Sequence, residues 1–177
     1  MPELKDIPDE VKWRIAADCA ARIPALYDRA FRDIVGKRYD GIEQEIWMEL
    51  ARTGYGIARD LSLPTRNARE LAETMRFIMT ILFGPGYRSE VLELSHDGAV
   101  TIVKKCPLLT HGLEPGCASE CMFHKCMALT LTTIPLLNRK YSARYVRTIC
   151  TGDRQCEIKV EINKEPDTLK DEQKKTG

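Results

Sequence analysis

The tripeptide Gly84-Pro85-Gly86 divides the chain into two regimes. Before it, apolar residues recur every three or four positions, and after it they alternate. A Gly-Pro-Gly run neither continues a helix nor pairs in a central strand, so the fold has to change there from helix to sheet.

The first regime reads as helices. Residues 8 to 35 place Val11, Ile15, Cys19, Ile23, Leu26, Ala30 and Ile34 at helical spacing. Pro8 suits a first turn and Pro24 a kink, so the run reads as one helix or as two. Asp40 followed by Glu43 has the form of a capping box, with Ile42, Ile46, Leu50, Ile57 and Leu61 continuing an apolar face beyond it. Asn67 with Glu70 repeats the device ahead of Ala68, Leu71, Met75, Ile78, Met79 and Leu82.

The second regime reads as two hairpins around a helix. Val91 to Leu94 and Val100 to Val103 flank Asp97-Gly98, a favoured turn pair. Cys106-Pro107 opens a loop running through Gly112, Pro115 and Gly116. The segment from Cys117 to about Leu137 then returns to helical spacing at Met122, Cys126, Leu129, Thr133 and Leu136. Ala143 to Cys150 and Cys156 to Ile162 flank a final turn, and Cys156, Ile158, Val160 and Ile162 alternate with charged residues. The expectation is an α+β fold: N-terminal helices packed with an antiparallel sheet of two hairpins flanking a cysteine-bearing helix, ββαββ. Residues 1–86 form its helical part and 87–163 its cysteine-rich α+β part, in one compact domain. The tail, 164–177, is charged and without periodicity, and is expected to be mobile.

Charge narrows the partners. The 27 basic and 26 acidic residues nearly cancel, and no basic run tracks phosphates, so nucleic acid is not an expected partner. The longest apolar stretch, Phe77 to Phe83, is far short of the roughly 20 residues a membrane span needs, and the polar start carries no export signal. The expected location is the cytoplasm, away from membranes. A small-molecule ligand or substrate is the expected partner, and a homodimer is left open.

Six of the seven cysteines lie in the second regime, and seven is an odd number in a chain without an export signal. This favours thiols, metal ligands or redox groups over structural disulfides. On a helix, Cys117, Cys121 and His124 fall within roughly a 60° arc, while Cys126 lies about opposite, on the side of Met122 and Leu129. With Cys106 arriving from the preceding loop, Cys106, Cys117, Cys121 and His124 make a soft ligand set suited to zinc or an iron-sulfur cluster. Cys126, Cys150 and Cys156 are alternates. Cys126 and Cys156 read equally as buried packing residues, and Cys150 is free to join the site, to pair with Cys156 as a redox switch, or to pack. His111 is a candidate ligand or proton shuttle beside Cys106, whereas His96 by the turn is given no role.

Cys106-Pro107 and the Gly152-Asp153-Arg154-Gln155-Cys156 strand entry resemble the L-2-amino-thiazoline-4-carboxylate hydrolase-like family over the last third of the chain. A similar Gly-Asp-x-x-Cys ending occurs in 4-vinyl-reductase domains, which bind small molecules. The resemblance implies either a binding scaffold or hydrolysis of a non-peptide C–N bond in a cyclic amidine. In the hydrolytic case Cys106 would attack with His111 or His124 as base, or a metal-bound water would do so. The leading expectation is therefore a cysteine-rich metal- or cluster-binding, redox-sensitive domain that binds a small molecule. The alternatives are a thiol- or metal-dependent hydrolase, and an apolar-ligand carrier of the vinyl-reductase kind.

Overall fold

The computed structural model describes residues 3–112 and 119–163. Its elements are α1 (Asp9–Val35), α2 (Tyr39–Asp60), α3 (Ala68–Phe83), β1 (Arg88–Ser95), β2 (Gly98–Lys105), α4 (Pro107–Gly112), α5 (Ser119–Leu137), β3 (Tyr141–Arg147) and β4 (Cys156–Ile162). The α+β class holds, with both hairpins and the intervening helix in place. The expected tail, 164–177, lies outside the described residues.

The sheet has the order β1-β2-β4-β3, antiparallel throughout. Period-two alternation sets its register: Ala99 pairs with Val160, Thr101 with Ile158 and Val103 with Cys156, and all six are buried on one face. α3 covers that face, with Leu71 and Ile78 fully enclosed. Each such side chain contributes roughly 1.5–3 kcal/mol relative to exposure.

Local signals fix several boundaries. Asn67 caps α3 by accepting from the Glu70 backbone N–H at 2.9 Å, as its spacing predicts. α3 ends at Gly84, whose φ of 83° is open only to glycine and whose Cβ would stand 2.6 Å from that of Ala17. The close approach of α1 to the end of α3 therefore depends on that glycine, and the Trp13 indole N–H donates to the Ile81 carbonyl at 3.2 Å alongside it.

Of the two forms its periodicity allows, α1 takes the single helix, running through Pro24. Three sequence expectations are corrected. Asp40 and Glu43 are not a capping box: α2 begins at Tyr39, Asp40 pairs with Arg32 at 2.6 Å, and Glu43 is bonded to Lys125 at 2.9 Å. Cys106-Pro107 leads into a short helix, since proline fits a helix's first position. Finally, the large aliphatic stripes of α1 and α2 are not the buried ones. α1 buries Ala17, Ala21, Ala25 and Asp28, and α2 buries Tyr39, Glu43, Trp47, Ala51, Gly54 and Ala58. Small residues allow the close helix contacts, and the large ones remain outside.

Candidate docking groove and the cysteine neighbourhood

α1 and α2 form a hairpin joined by the turn Gly36–Arg38, and they splay apart because each packs elsewhere. α1 lies on α3 and α4, and α2 lies along α5. In α2, Gly54 accommodates this: a Cβ there would meet Ile78 at 3.3 Å and Thr133 at 3.5 Å. Between the two helices runs a groove of about 770 Å³. Ile23, Tyr27, Phe31 and Val35 form one wall, Ile42 and Ile46 the other, and Trp47, Leu82 and Phe83 the floor. Trp47 and Phe83 stack with centroids 6.3 Å apart. Much of the wall faces solvent, with Tyr27 56% and Ile46 62% exposed.

The hinge end of the groove is polar. Tyr39 and Glu43 line it, and Glu43 belongs to a charged cluster that joins three helices. Lys125 of α5 donates to Asp28 of α1 at 2.6 Å and to Glu43 of α2 at 2.9 Å, with its own side chain fully enclosed. Arg32 reaches Asp28 at 3.3 Å and lies 4.7 Å from the Tyr39 ring centroid. Burial raises the Glu43 carboxyl to about 7 against the pull of Lys125. Burial likewise holds the Tyr39 hydroxyl neutral, far above its ordinary range.

None of the described cysteines lines this groove. Cys106 precedes α4, Cys126 is on α5, Cys150 is in the turn Ile149–Thr151 and Cys156 opens β4. All four are free thiols, and Cys150 and Cys156 are both buried. Loss of water pushes the Cys106 thiol up to about 11 and that of Cys126 well above its usual value, with the other thiols adding to both. Cys150 is also raised, chiefly by burial. The Cys156 sulfur accepts from the Ile149 N–H at 3.4 Å. Tyr145, packed edge-on to Phe123, donates to the Cys126 carbonyl at 3.2 Å. With their thiols raised, Cys106, Cys126 and Cys150 are packing groups with little nucleophilic character.

Of the expected ligand set, the side chains of Cys106 and His124 are among the described residues. His124 is exposed beside Phe123, whereas Cys106 is enclosed. Cys117 and the side chains of Cys121 and His111 lie outside the described residues. Among the described residues, no group of three or more His, Cys, Asp or Glu side chains is placed to hold a metal ion.

No protein-family model and no curated protein matches the chain. A solved structure does match in fold: trafficking protein particle complex subunit 3 from Naegleria fowleri, covalently bound to palmitic acid. The TM-score is 0.52 at 13% identity, and the match covers 88% of this chain and 97% of the other. The chain shares its fold with a trafficking-complex subunit.

That likeness and the lack of a metal-holding group among the described residues together correct the leading functional expectation. Zinc or iron-sulfur binding and cysteine redox sensing give way, and the hydrolase reading gives way with them. No helix among the described residues is long and apolar enough to cross a membrane.

The groove and the charged cluster were both missed from sequence. A signal for the cluster existed: Asp28 continues the alanine face of α1, Glu43 stands one turn before Trp47, and Lys125 falls between Met122 and Leu129. A charge inside each of three buried stripes calls for mutual pairing.

Proposed function

We propose that this chain is an assembly module whose α1/α2 face docks another protein surface. The observation that carries this reading is the groove and its exposed walls, since water-facing apolar surface of this extent on a folded chain marks an interaction site. The fold neighbour is by its name a subunit of a complex, which supports the same reading. Self-pairing is its simplest form. The test is native size. On size exclusion of a lysate from cells expressing the chain, the wild type elutes well above 20.1 kDa, and Ile46→Glu, a change at a 62%-exposed position, elutes as a monomer while keeping its helical circular dichroism. A wild type of monomer size sinks the proposal.

A second reading is favoured by the shape of the groove: a continuous apolar trough, closed at its hinge end by the polar Tyr39 and Glu43, suits a single alkyl chain with a polar head. The neighbour's palmitic acid is consistent with that. Organic extraction of the purified protein and mass spectrometry would then give a lipid at about one per chain, and a clean extract would remove this reading. The resemblance of Cys106-Pro107 and Gly152 to Cys156 to the thiazoline-carboxylate hydrolase-like proteins supports, as a proposal, kinship of scaffold without the activity.

A further inference from the structure

We infer that the surface docked on the α1/α2 face is a second copy of this chain, related by a two-fold axis. The inference rests on the docking reading above and names its partner.

Two apolar surfaces share α1. One is the groove wall. The other is an outward stripe in which Ile15, Leu26 and Ile34 fall within roughly a 100° arc, about opposite the buried alanines. They are 54%, 46% and 79% exposed. This stripe is the regular aliphatic pattern that would ordinarily face a core, and within one chain it faces water. With the exposed parts of Ile23, Tyr27, Phe31, Val35, Ile42 and Ile46 it amounts to roughly 900 Å². A stable complex of standard size buries about 800 Å² per partner, so the surface is sufficient for one interface.

A two-fold operation satisfies both surfaces at once. If the stripe of one copy lies over the groove of the other, the same rotation returns the second stripe to the first groove, and each patch is covered without a third component. The result is a helical bundle contributed equally by both copies. An unrelated partner would have to supply a ridge and a trough at the matching offset.

Charge does not oppose self-pairing. Between Asp9 and Asp60 there are nine basic and ten acidic residues, so two such surfaces meet nearly neutral. The acidic groups lining the groove are already engaged, Glu43 by Lys125 and Glu49 by Arg52 at 3.3 Å.

Sedimentation equilibrium of the purified full chain tests this. The expected result is a species of about twice 20.1 kDa, shifted to monomer by Ile34→Glu in the stripe and separately by Ile46→Glu in the groove, with Kd rising at least a hundredfold in each. Should either variant fail to fold by circular dichroism, hydroxyl-radical oxidation of wild-type Tyr27 is the second readout, and it should slow as the dimer forms. A purified chain that stays monomeric to millimolar concentration overturns the inference. If the chain still runs as a larger species in lysate, the docking reading survives with a different partner. A dimer that both folded variants retain also overturns the inference, because its interface then lies elsewhere.

Discussion

Lys125 Nζ lies 2.6 Å from Asp28 Oδ2, and neither side chain has any exposure to solvent. The residues are 97 positions apart, so this contact locks α1 to α5, and Glu43 brings α2 into the same joint. Removing one member of a buried ion pair strands the charge of the other, at a typical cost of 3–5 kcal/mol. Lys125→Met should therefore lower stability by about 3 kcal/mol or more in urea denaturation, even with Arg32 still beside Asp28. A loss under about 1 kcal/mol would show that the joint contributes little.

Glu43 gives this joint a pH dependence of definite sign. Its folded carboxyl is raised to about 7, above its unfolded value, so the folded state holds the proton more tightly. Below the unfolded value both states are protonated and the group makes no difference. As pH rises from there through about 7, ionisation favours the unfolded chain and stability falls, and above that both states are ionised and the loss levels off. Between pH 5 and 8 the wild type should lose more stability than Glu43→Gln does, as read by thermal melting. Parallel pH profiles for the two proteins would be inconsistent with a raised Glu43.

Gly84→Ala should cost roughly 2–4 kcal/mol, because it combines a backbone region reserved for glycine with overpacking. The new methyl group would press on Ala17 at 2.6 Å, so Gly84→Ala together with Ala17→Gly removes the clash and leaves the backbone cost at residue 84 plus about 1 kcal/mol for a glycine inside α1, which Ala17→Gly alone measures. Urea midpoints of the three variants separate these contributions. A double-variant loss equal to the sum of the two single losses would mean that the close approach of α1 and α3 carries no weight.

Thiol reactivity distinguishes packing cysteines from chemical ones. Cys19 is exposed on α1, whereas Cys106 has its thiol raised to about 11, leaving on the order of a thousandth of it as thiolate at pH 8. Alkylation followed by peptide mapping should modify Cys19 at least a hundredfold faster than Cys106, Cys126 or Cys150. Rapid labelling of Cys106 would restore it as a nucleophile.

The legibility of this chain followed the range of the interactions involved. The Asn67 cap and the alternation in β4 act over a few residues and were readable in place, and the first hairpin was readable too, although its turn falls on His96-Asp97, one residue before the expected Asp97-Gly98, with Gly98 already paired in β2. What could not be read was which face of α1, α2 and α5 turns inward. Helical periodicity reports an apolar stripe without saying whether the core or another molecule covers it. In α1 the stripe of Ile15, Leu26 and Ile34 was the more regular one, yet the alanines are buried because α3 and α4 approach closely. In α5, Leu136 is 43% exposed, while Lys125, three residues beyond Met122, is enclosed. The metal-binding expectation fell for a related reason. Ligand spacing along one helix is local, whereas convergence on a common atom depends on tertiary placement.

The most direct measurement of the central claim is hydroxyl-radical footprinting of the chain within freshly lysed cells. It compares Tyr27, on the groove wall and 56% exposed, with Tyr55, on the far side of α2 and 43% exposed. A docked α1/α2 face predicts that Tyr27 is oxidised several-fold more slowly than Tyr55, reversing the order of their exposures in the single chain. Oxidation of Tyr27 as fast as Tyr55 or faster would mean the groove stands open in the cell, and the docking account would be wrong.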